Sequence, residues 1–389
     1  MRRVLALAAC ASATVYFEET FDSGIGERWQ TSEWKDPMGA WVWTSGEWYT
    51  NEAKAKGMQA SEDMRFHAIS AKLDAPASTV DKELVVQFTV KHEKKDYAFC
   101  GGGYIKLLPG EVDPKAFGGD TPYAIMFGPD LCGYDISRIH VIFENKGENL
   151  LKSDEIKLDY SDKDEFTHLY TLHLKPDGSY EVFFDQKSKA SGKLEDDWAF
   201  PSKEIKDPAI SKPSDWVDTK RIPDPAAVKP EGYDDIPAEI PDPEAEQPED
   251  WDAEEDGEWE PPMIDNPDYK GEWKAPMIDN PDYKGEWVHP MIPNADYAPD
   301  TYAKYPDLTT LGFELWTVNA GSIFDNILVT DDKAYADKMA ADTWAIIKEG
   351  EKEAKDAWKK ANKDDDDDDD ADVDDDEEEE EEEELKDEL

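Results

Sequence analysis

Residues 257–297 read GEWEPPMIDNPDYKGEWKAPMIDNPDYKGEWVHPMIPNADY. Three copies of one motif stand head to tail here, opening at Gly257-Glu258-Trp259, Gly271-Glu272-Trp273 and Gly285-Glu286-Trp287. Each runs to an Asp-Tyr pair, ending at Tyr269, Tyr283 and Tyr297. A second repeat type precedes them. It runs from Ile205-Lys206-Asp207-Pro208 to Trp216, from Ile222-Pro223-Asp224-Pro225 to Tyr233, and from Ile240-Pro241-Asp242-Pro243 to Trp251. Repeats govern the reading of everything around them. Three copies followed by three of another kind suit a long hairpin in which each early copy faces a late one. Proline at these positions removes backbone donors and rules out regular helix or central sheet. The segment 205–297 is therefore expected to be a proline-rich arm without a broad core, held by small clusters around its Trp and Tyr residues. With about 45 residues per limb, extended chain reaches at most about 150 Å.

Outward from the arm the pattern changes to short strands. Leu84 to Val90, His140 to Phe143, Leu169 to Leu174 and Tyr180 to Phe184 are rich in β-branched and aromatic residues. The last two flank Pro176-Asp177-Gly178, a hairpin turn signal. Many short strands at this spacing imply a jelly-roll β-sandwich. The pattern resumes beyond the arm at Leu311 to Trp316 and Ile323 to Val329. The sandwich is thus expected over 14–204, interrupted by the arm and completed by 298–332. Tyr335 to Lys363 carries Ala, Lys and Glu with spaced apolar positions and reads as one long amphipathic helix, within a helical region 333–363. From Asp364 to Glu384 almost every residue is acidic, so 364–389 is expected to be a disordered acidic tail.

Charge bounds the partners. The 389 residues carry a formal net charge of -52, which excludes nucleic acid, since phosphate binding needs a basic surface. Carboxylates in this number favour hard cations, Ca²⁺ above all. Yet 11% of residues are aromatic and 14 are Trp, too many for a wholly disordered acidic chain.

The two ends point to a compartment. Arg2 and Arg3, the apolar run Val4 to Ala11 and the small residues to Ala13 follow the order of a signal peptide over 1–13. Lys386-Asp387-Glu388-Leu389 spells the KDEL retrieval signal, with its receptor as the implied partner. No other apolar stretch is long enough to span a bilayer. The expected address is the endoplasmic reticulum lumen, unanchored, as a monomer. Removal of Cys10 with the leader leaves Cys100 and Cys132, an even number in an oxidising compartment. A bond between them closes a loop worth roughly 3–4 kcal/mol in the chain-entropy model; the alternative is two buried thiols. No C-x-x-C, G-x-S-x-G, phosphate loop or H-E-x-x-H is present, so no enzyme activity is expected. A plain calcium buffer is the competing reading, and a glycosidase hidden among the many carboxylates is a third.

The strings Cys100 to Leu107 (CGGGYIKL), Tyr123 to Cys132 (YAIMFGPDLC), Glu195 to Trp198 (EDDW) and Ile323 to Asn326 (IFDN), with both repeat types, resemble the calreticulin/calnexin family of lectin chaperones. The likeness runs from about Val15 to Trp344. The three-plus-three repeat count and the lack of an anchor resemble its calreticulin branch. The resemblance implies a concanavalin-like sandwich that binds monoglucosylated high-mannose glycans on newly made, unfolded glycoproteins. The sugar positions it implies are Tyr104, Lys106, Tyr123, Met126, Asp130 and Glu314, with Asp120 beside them. Family calreticulins carry Asp where Glu314 stands. It further implies a structural Ca²⁺ held by the Asp325 carboxylate and the main-chain carbonyls of Thr20, Lys54 and Lys56. At the arm tip it implies docking of a thiol-disulfide isomerase on Glu254, Asp256, Glu258 and Trp259. The acidic tail is expected to store Ca²⁺.

Overall fold

The computed structural model describes residues 13–93, 99–133, 135–248 and 258–362. The chain divides into two units, one formed by residues up to 202 together with those from 295 onward, the other by Lys203–Asn294.

The first unit is a β-sandwich of two antiparallel sheets. In one, neighbouring strands run Lys187–Lys193, Ser179–Phe184, His168–Leu174, Leu84–His92, Ser322–Thr330, Gly57–Ala60 and Trp41–Thr44, with Val15–Glu19 also paired to Ser322–Thr330. In the other the order is Glu148–Leu151, Ile136–Asn145, Ile125–Cys132, Cys100–Gly102, Leu308–Thr317, Arg65–Ala77 and Trp29–Thr31. Ile105–Pro109 bridges Leu308–Thr317 and Ile125–Cys132 in this second sheet. The two strands that follow the repeats therefore sit in the interiors of the two sheets, between strands that precede the repeats. The sandwich cannot close until the chain has passed through the whole insertion.

Period-two alternation decides what faces inward. Along Leu308–Thr317, Leu311, Phe313 and Leu315 are buried in the core while Gly312, Glu314 and Trp316 fall on the outer face. Phe313 meets Phe324 of the opposite sheet at a ring separation of 4.4 Å, and Phe88 touches Phe127 and Phe313 at 5.8 and 6.1 Å. These aromatic contacts join the two sheets.

Leu84–His92, His168–Leu174 and Ser322–Thr330 are buried on both faces. Helices cover their second face. The single long helix read from the sequence is in fact two, Lys333–Asp342 and Trp344–Ala361, broken at Thr343 with φ -124° and ψ -81°. Burial explains the break. Met339 packs on Val85 and Leu328, whereas Trp344 packs on Leu169 and donates its indole N–H to the Thr167 carbonyl at 2.9 Å. The second helix is fixed further by Glu351, which accepts from the Thr167 N–H and hydroxyl at 2.7 Å each and lies 3.1 Å from Lys91 Nζ. Both side chains of that ion pair are buried.

Lys203–Asn294 contains three two-stranded antiparallel ladders among its described residues. Glu204–Lys206 pairs with Met291–Pro293, Arg221–Pro223 with Met277–Asp279, and Glu239–Pro241 with Met263–Asp265. The first repeat thus faces the last, and the third faces the fourth. An Ile–Ile pair centres each rung: Ile205 with Ile292, Ile222 with Ile278, Ile240 with Ile264. Trp216 donates its indole N–H to the Gly285 carbonyl at 2.9 Å. Prolines end each rung after three residues, which is why these ladders never widen into a sheet.

Candidate functional site

The outer face of the second sheet gathers the candidate sugar-binding residues. Lys106 lies opposite Met126 on one side and Gly312 on the other. Asp130 is four residues beyond Met126, and Glu314 two beyond Gly312, so period two brings all four side chains to one face. Two glycines make room. A Cβ on Gly128, whose φ is +139°, would stand 2.7 Å from the Tyr104 Cα and the Gly103 carbonyl oxygen. On Gly102 it would stand 2.5 Å from the Tyr104 ring. The glycines of both family strings therefore seat Tyr104.

Lys106 Nζ donates to Glu314 Oε2 at 2.8 Å, with both side chains buried. The same ammonium lies 4.9 Å from the centre of the Tyr123 ring. Asp130 Oδ2 is 2.9 Å from His140 Nε2 and 3.1 Å from Arg138 Nε. Among the described residues, Glu314 Oε1 and Asp130 Oδ1 take no hydrogen bond. Each carboxylate is thus fixed through one oxygen and open at the other, an arrangement able to accept from two ligand hydroxyls.

Electrostatics hold these groups in defined states. Burial, with the negative charges of Glu314 and Asp130, pushes the Tyr104 hydroxyl well above its ordinary range. Burial and Glu314 do the same to Tyr123. Both phenols stay protonated and can donate. Burial alone would raise Asp130, but the hydrogen bonds and charges of His140 and Arg138 outweigh it and hold the carboxyl below the usual range. Met126 is buried beside this group, and Asp120 is exposed on the neighbouring loop.

Arg138 and His140, which orient Asp130, were not among the residues expected from sequence. They sit two apart on Ile136–Asn145, opposite Asp130 and Gly128. Their shared parity on a strand was the available signal. Also missed was an aromatic group at the end of the face. Phe66 is 4.6 Å from Trp316 and 5.4 Å from Trp34, with Lys35 Nζ 4.5 Å above the Phe66 ring. Trp316 follows Glu314 by two, again on its face.

Cys100 and Cys132 are bonded, with the sulfurs 2.02 Å apart. The bridge ties opposite residues of two neighbouring strands, two pairs away from Gly102 opposite Asp130.

The candidate metal position lies on the other sheet. Asp325 occupies a β-bulge of Ser322–Thr330, next to Asn326 at φ +51°. The buried carboxylate accepts from the Asn326 N–H at 2.7 Å and its side-chain amide at 2.9 Å. Burial, reinforced by the charges of Asp22 and Glu19, pushes Asp325 well above the carboxylate range. No Lys or Arg among the described residues pairs with it. Main chain closes around it. A Cβ on Gly57, the residue after Lys56, would be 3.1 Å from the Asp325 Cβ, and Glu19, the residue before Thr20, is paired with Ile327. The Lys54 and Lys56 ammonium groups point to Asp22 and Glu52, at 2.9 and 2.8 Å. Among the described residues no three His, Cys, Asp or Glu side chains form a metal cluster. One buried, cation-free carboxylate amid main chain and further acids still suits a hard divalent cation with carbonyl ligands.

At the arm, Glu258 is exposed and Trp259 half-buried. Glu254 and Asp256 lie outside the described residues, as do the leader up to Ser12, the acidic tail and the KDEL signal. No described helix is long and apolar enough to cross a membrane.

The calreticulin family model matches residues 17–257 and 254–329. A calreticulin of Chlamydomonas reinhardtii is 52% identical over 361 residues, covering 91% of this chain and 85% of that protein. One of Oryctolagus cuniculus is 52% identical over 353 residues, covering 90% and 82%. Among solved structures, the T. cruzi calreticulin globular domain matches with a TM-score of 0.60 and 32% identity, covering 90% of this chain and all of that one.

Proposed function

The chain belongs to the calreticulin family, and from that premise we propose that it is a lectin chaperone of the endoplasmic reticulum lumen. It binds the monoglucosylated high-mannose glycan of newly made glycoproteins on the outer face of the second sheet. It recruits a thiol-disulfide isomerase through Glu254, Asp256, Glu258 and Trp259, and stores Ca²⁺ on its acidic tail. It carries out no covalent chemistry on the glycan.

The observation that carries this reading is the pair of half-engaged carboxylates, Glu314 held by Lys106 and Asp130 held by His140 and Arg138, whose charges both act on the protonated Tyr104. A sugar presents hydroxyls that both donate and accept around an apolar ring face. Glu314 Oε1 and Asp130 Oδ1 accept, Lys106 and the phenols donate, and the Tyr123 and Met126 surfaces meet the ring. A site whose buried polar groups are completed only by these hydroxyls rejects sugars that lack them. Lys106 holds Glu314 in place, and Arg138 and His140 hold Asp130, so little ordering remains to be done on binding.

Asp325, with the main-chain oxygens of Thr20, Lys54 and Lys56, would hold one structural Ca²⁺. The ion would supply the positive charge that this buried carboxylate lacks and tie the Ser322–Thr330 bulge to the Thr20 and Lys54 segments.

A glycan array in the presence of Ca²⁺ tests the lectin reading. Binding of glucose-capped oligomannose and loss of binding without the cap are expected. Equal binding of both, or of neither, overturns it.

A further inference from the structure

Beyond the Lys106–Glu314 site, the same outer face bears a groove of about 310 Å³. Its floor is built by strands in register: Gln30 lies opposite Ser70, and Lys72 opposite Thr310. Val112, Pro114, Arg28 and Asp74 also line it.

Three observations set it apart from ordinary surface. Ser70 is 2% exposed and its hydroxyl has no hydrogen-bond partner. A buried hydroxyl without a partner is costly unless something else supplies one. Thr310 is 3% exposed, and among the described residues its hydroxyl bonds only that of Thr309, at 3.4 Å. The side chains of Gln30 and Lys72, exposed at the rim, make no hydrogen bond or ion pair among the described residues. One amide, two hydroxyls and one ammonium thus converge, and among the described residues only the Thr310 hydroxyl of these has a partner, a long contact to Thr309.

The groove is separate from the first site. Lys106, Gly312, Ser70 and Gln30 follow one another across the sheet. Phe117, fully buried, stands over Gly312, where an added Cβ would be 2.7 Å from its ring. Phe117 packs with Ala68 and Leu108 into an apolar partition between the two positions.

Volume and charge choose the ligand. A single water takes about 30 Å³, so one bridging water leaves most of the groove unfilled. The volume lies at the small end of the range for small-molecule sites. Arg28 is committed to Asp74 at 3.1 Å and its guanidinium lies 3.9 Å from the Phe17 ring centre, which leaves Lys72 as the unpaired cation among the described residues lining the groove. A chain of net charge -52 repels anions at range, which disfavours a carboxylate or phosphate. A neutral group rich in hydroxyls suits Gln30, Ser70 and Thr310, with its carbon face on Val112 and Pro114.

We propose that this groove is a second carbohydrate site, taking one neutral hexose unit independently of the Lys106–Glu314 site. The test is methyl-detected NMR of the full chain titrated with methyl α-D-mannopyranoside and, separately, methyl α-D-glucopyranoside. The methyls of Val112 and Thr310 report on the groove, and that of Met126 on the first site. Saturable shifts at the groove methyls with at least one probe are expected, and their retention in Asp130→Ala. Gln30→Ala/Lys72→Ala changes only exposed side chains and is expected to weaken the groove response about tenfold while Met126 responds as before. The absence of a saturable groove shift with either probe, its loss in Asp130→Ala, or an unchanged response in the double variant overturns the proposal.

Discussion

Lys106 Nζ and Glu314 Oε2 meet at 2.8 Å across two neighbouring strands, both side chains out of water. An isolated buried charge is far more costly than a buried pair, and a well-packed apolar replacement of both partners is often neutral. Glu314→Ala is therefore expected to cost about 3–5 kcal/mol, read from urea unfolding, because it strands the ammonium. Lys106→Met/Glu314→Met should recover most of that loss. Neither protein should bind glucose-capped glycan. Binding by the stable double variant would remove the pair from the sugar site. Glu314→Asp, the residue family calreticulins carry here, should keep glycan specificity.

His168 stands between two carboxylates, 3.0 Å from Asp164 and 2.9 Å from Asp185. Burial alone would lower its pKa; the bonds to Asp164 and Asp185 outweigh burial and the opposing Lys348 charge, and the net direction is upward. A folded-state pKa above the unfolded value of about 6.5 stabilises fully below that pH. The contribution is lost as pH rises through the folded value. Burial lowers His92 and His67, which contribute the opposite slope in both proteins, so the test is a difference: the urea midpoint of the wild type relative to His168→Gln should fall on going from about pH 6 to pH 8. An equal slope in both proteins would show that this imidazole is not the titrating group.

The arm reading makes a separate claim. Trp259→Ala in the full chain should weaken binding of an endoplasmic reticulum thiol-disulfide isomerase at least about fivefold, the loss associated with a central interface residue. Glycan binding should be unchanged, since Trp259 belongs to the Lys203–Asn294 unit and the sugar-site residues do not. Wild-type isomerase affinity in the variant would count against the tip assignment.

Repeat counting made the hairpin legible, because Ile205, Ile222 and Ile240 recur in one limb and meet Ile292, Ile278 and Ile264 in the other. The sandwich was legible for a similar local reason: its strands alternate, as Leu311, Phe313 and Leu315 do against Gly312, Glu314 and Trp316. What escaped was set by pairing. Arg138 and His140 matter because their strand lies beside Asp130, and register between strands 8 residues apart or 200 apart is invisible to a local pattern. The break at Thr343 escaped for the same reason. The helical periodicity continues through it, and only the placement of Met339 and Trp344 over different strands of the sheet forces the turn.

The last prediction separates two kinds of calcium binding. Asp364 to Glu384 offers many carboxylates, and ions gathered by a diffuse negative field keep much of their water. Such sites should be numerous, weak, in the sub-millimolar to millimolar range of loosely built sites, and weaker still as salt screens the field. The Asp325 position offers one buried carboxylate already enclosed by main chain, with no cationic side chain among the described residues to balance it. An ion there binds the folded state alone and should raise the melting temperature by mass action. Deletion after Lys363 should remove most bound calcium, measured by equilibrium dialysis, and leave the calcium-dependent melting shift intact. Asp325→Ala should do the reverse, abolishing the shift while bulk capacity stays. Asp325→Asn is the closer control, since it keeps the shape of the bulge and removes only the charge. If the tail deletion leaves capacity unchanged, storage does not reside in the acidic block. If Asp325→Asn keeps the full melting shift, the structural ion does not sit on Asp325.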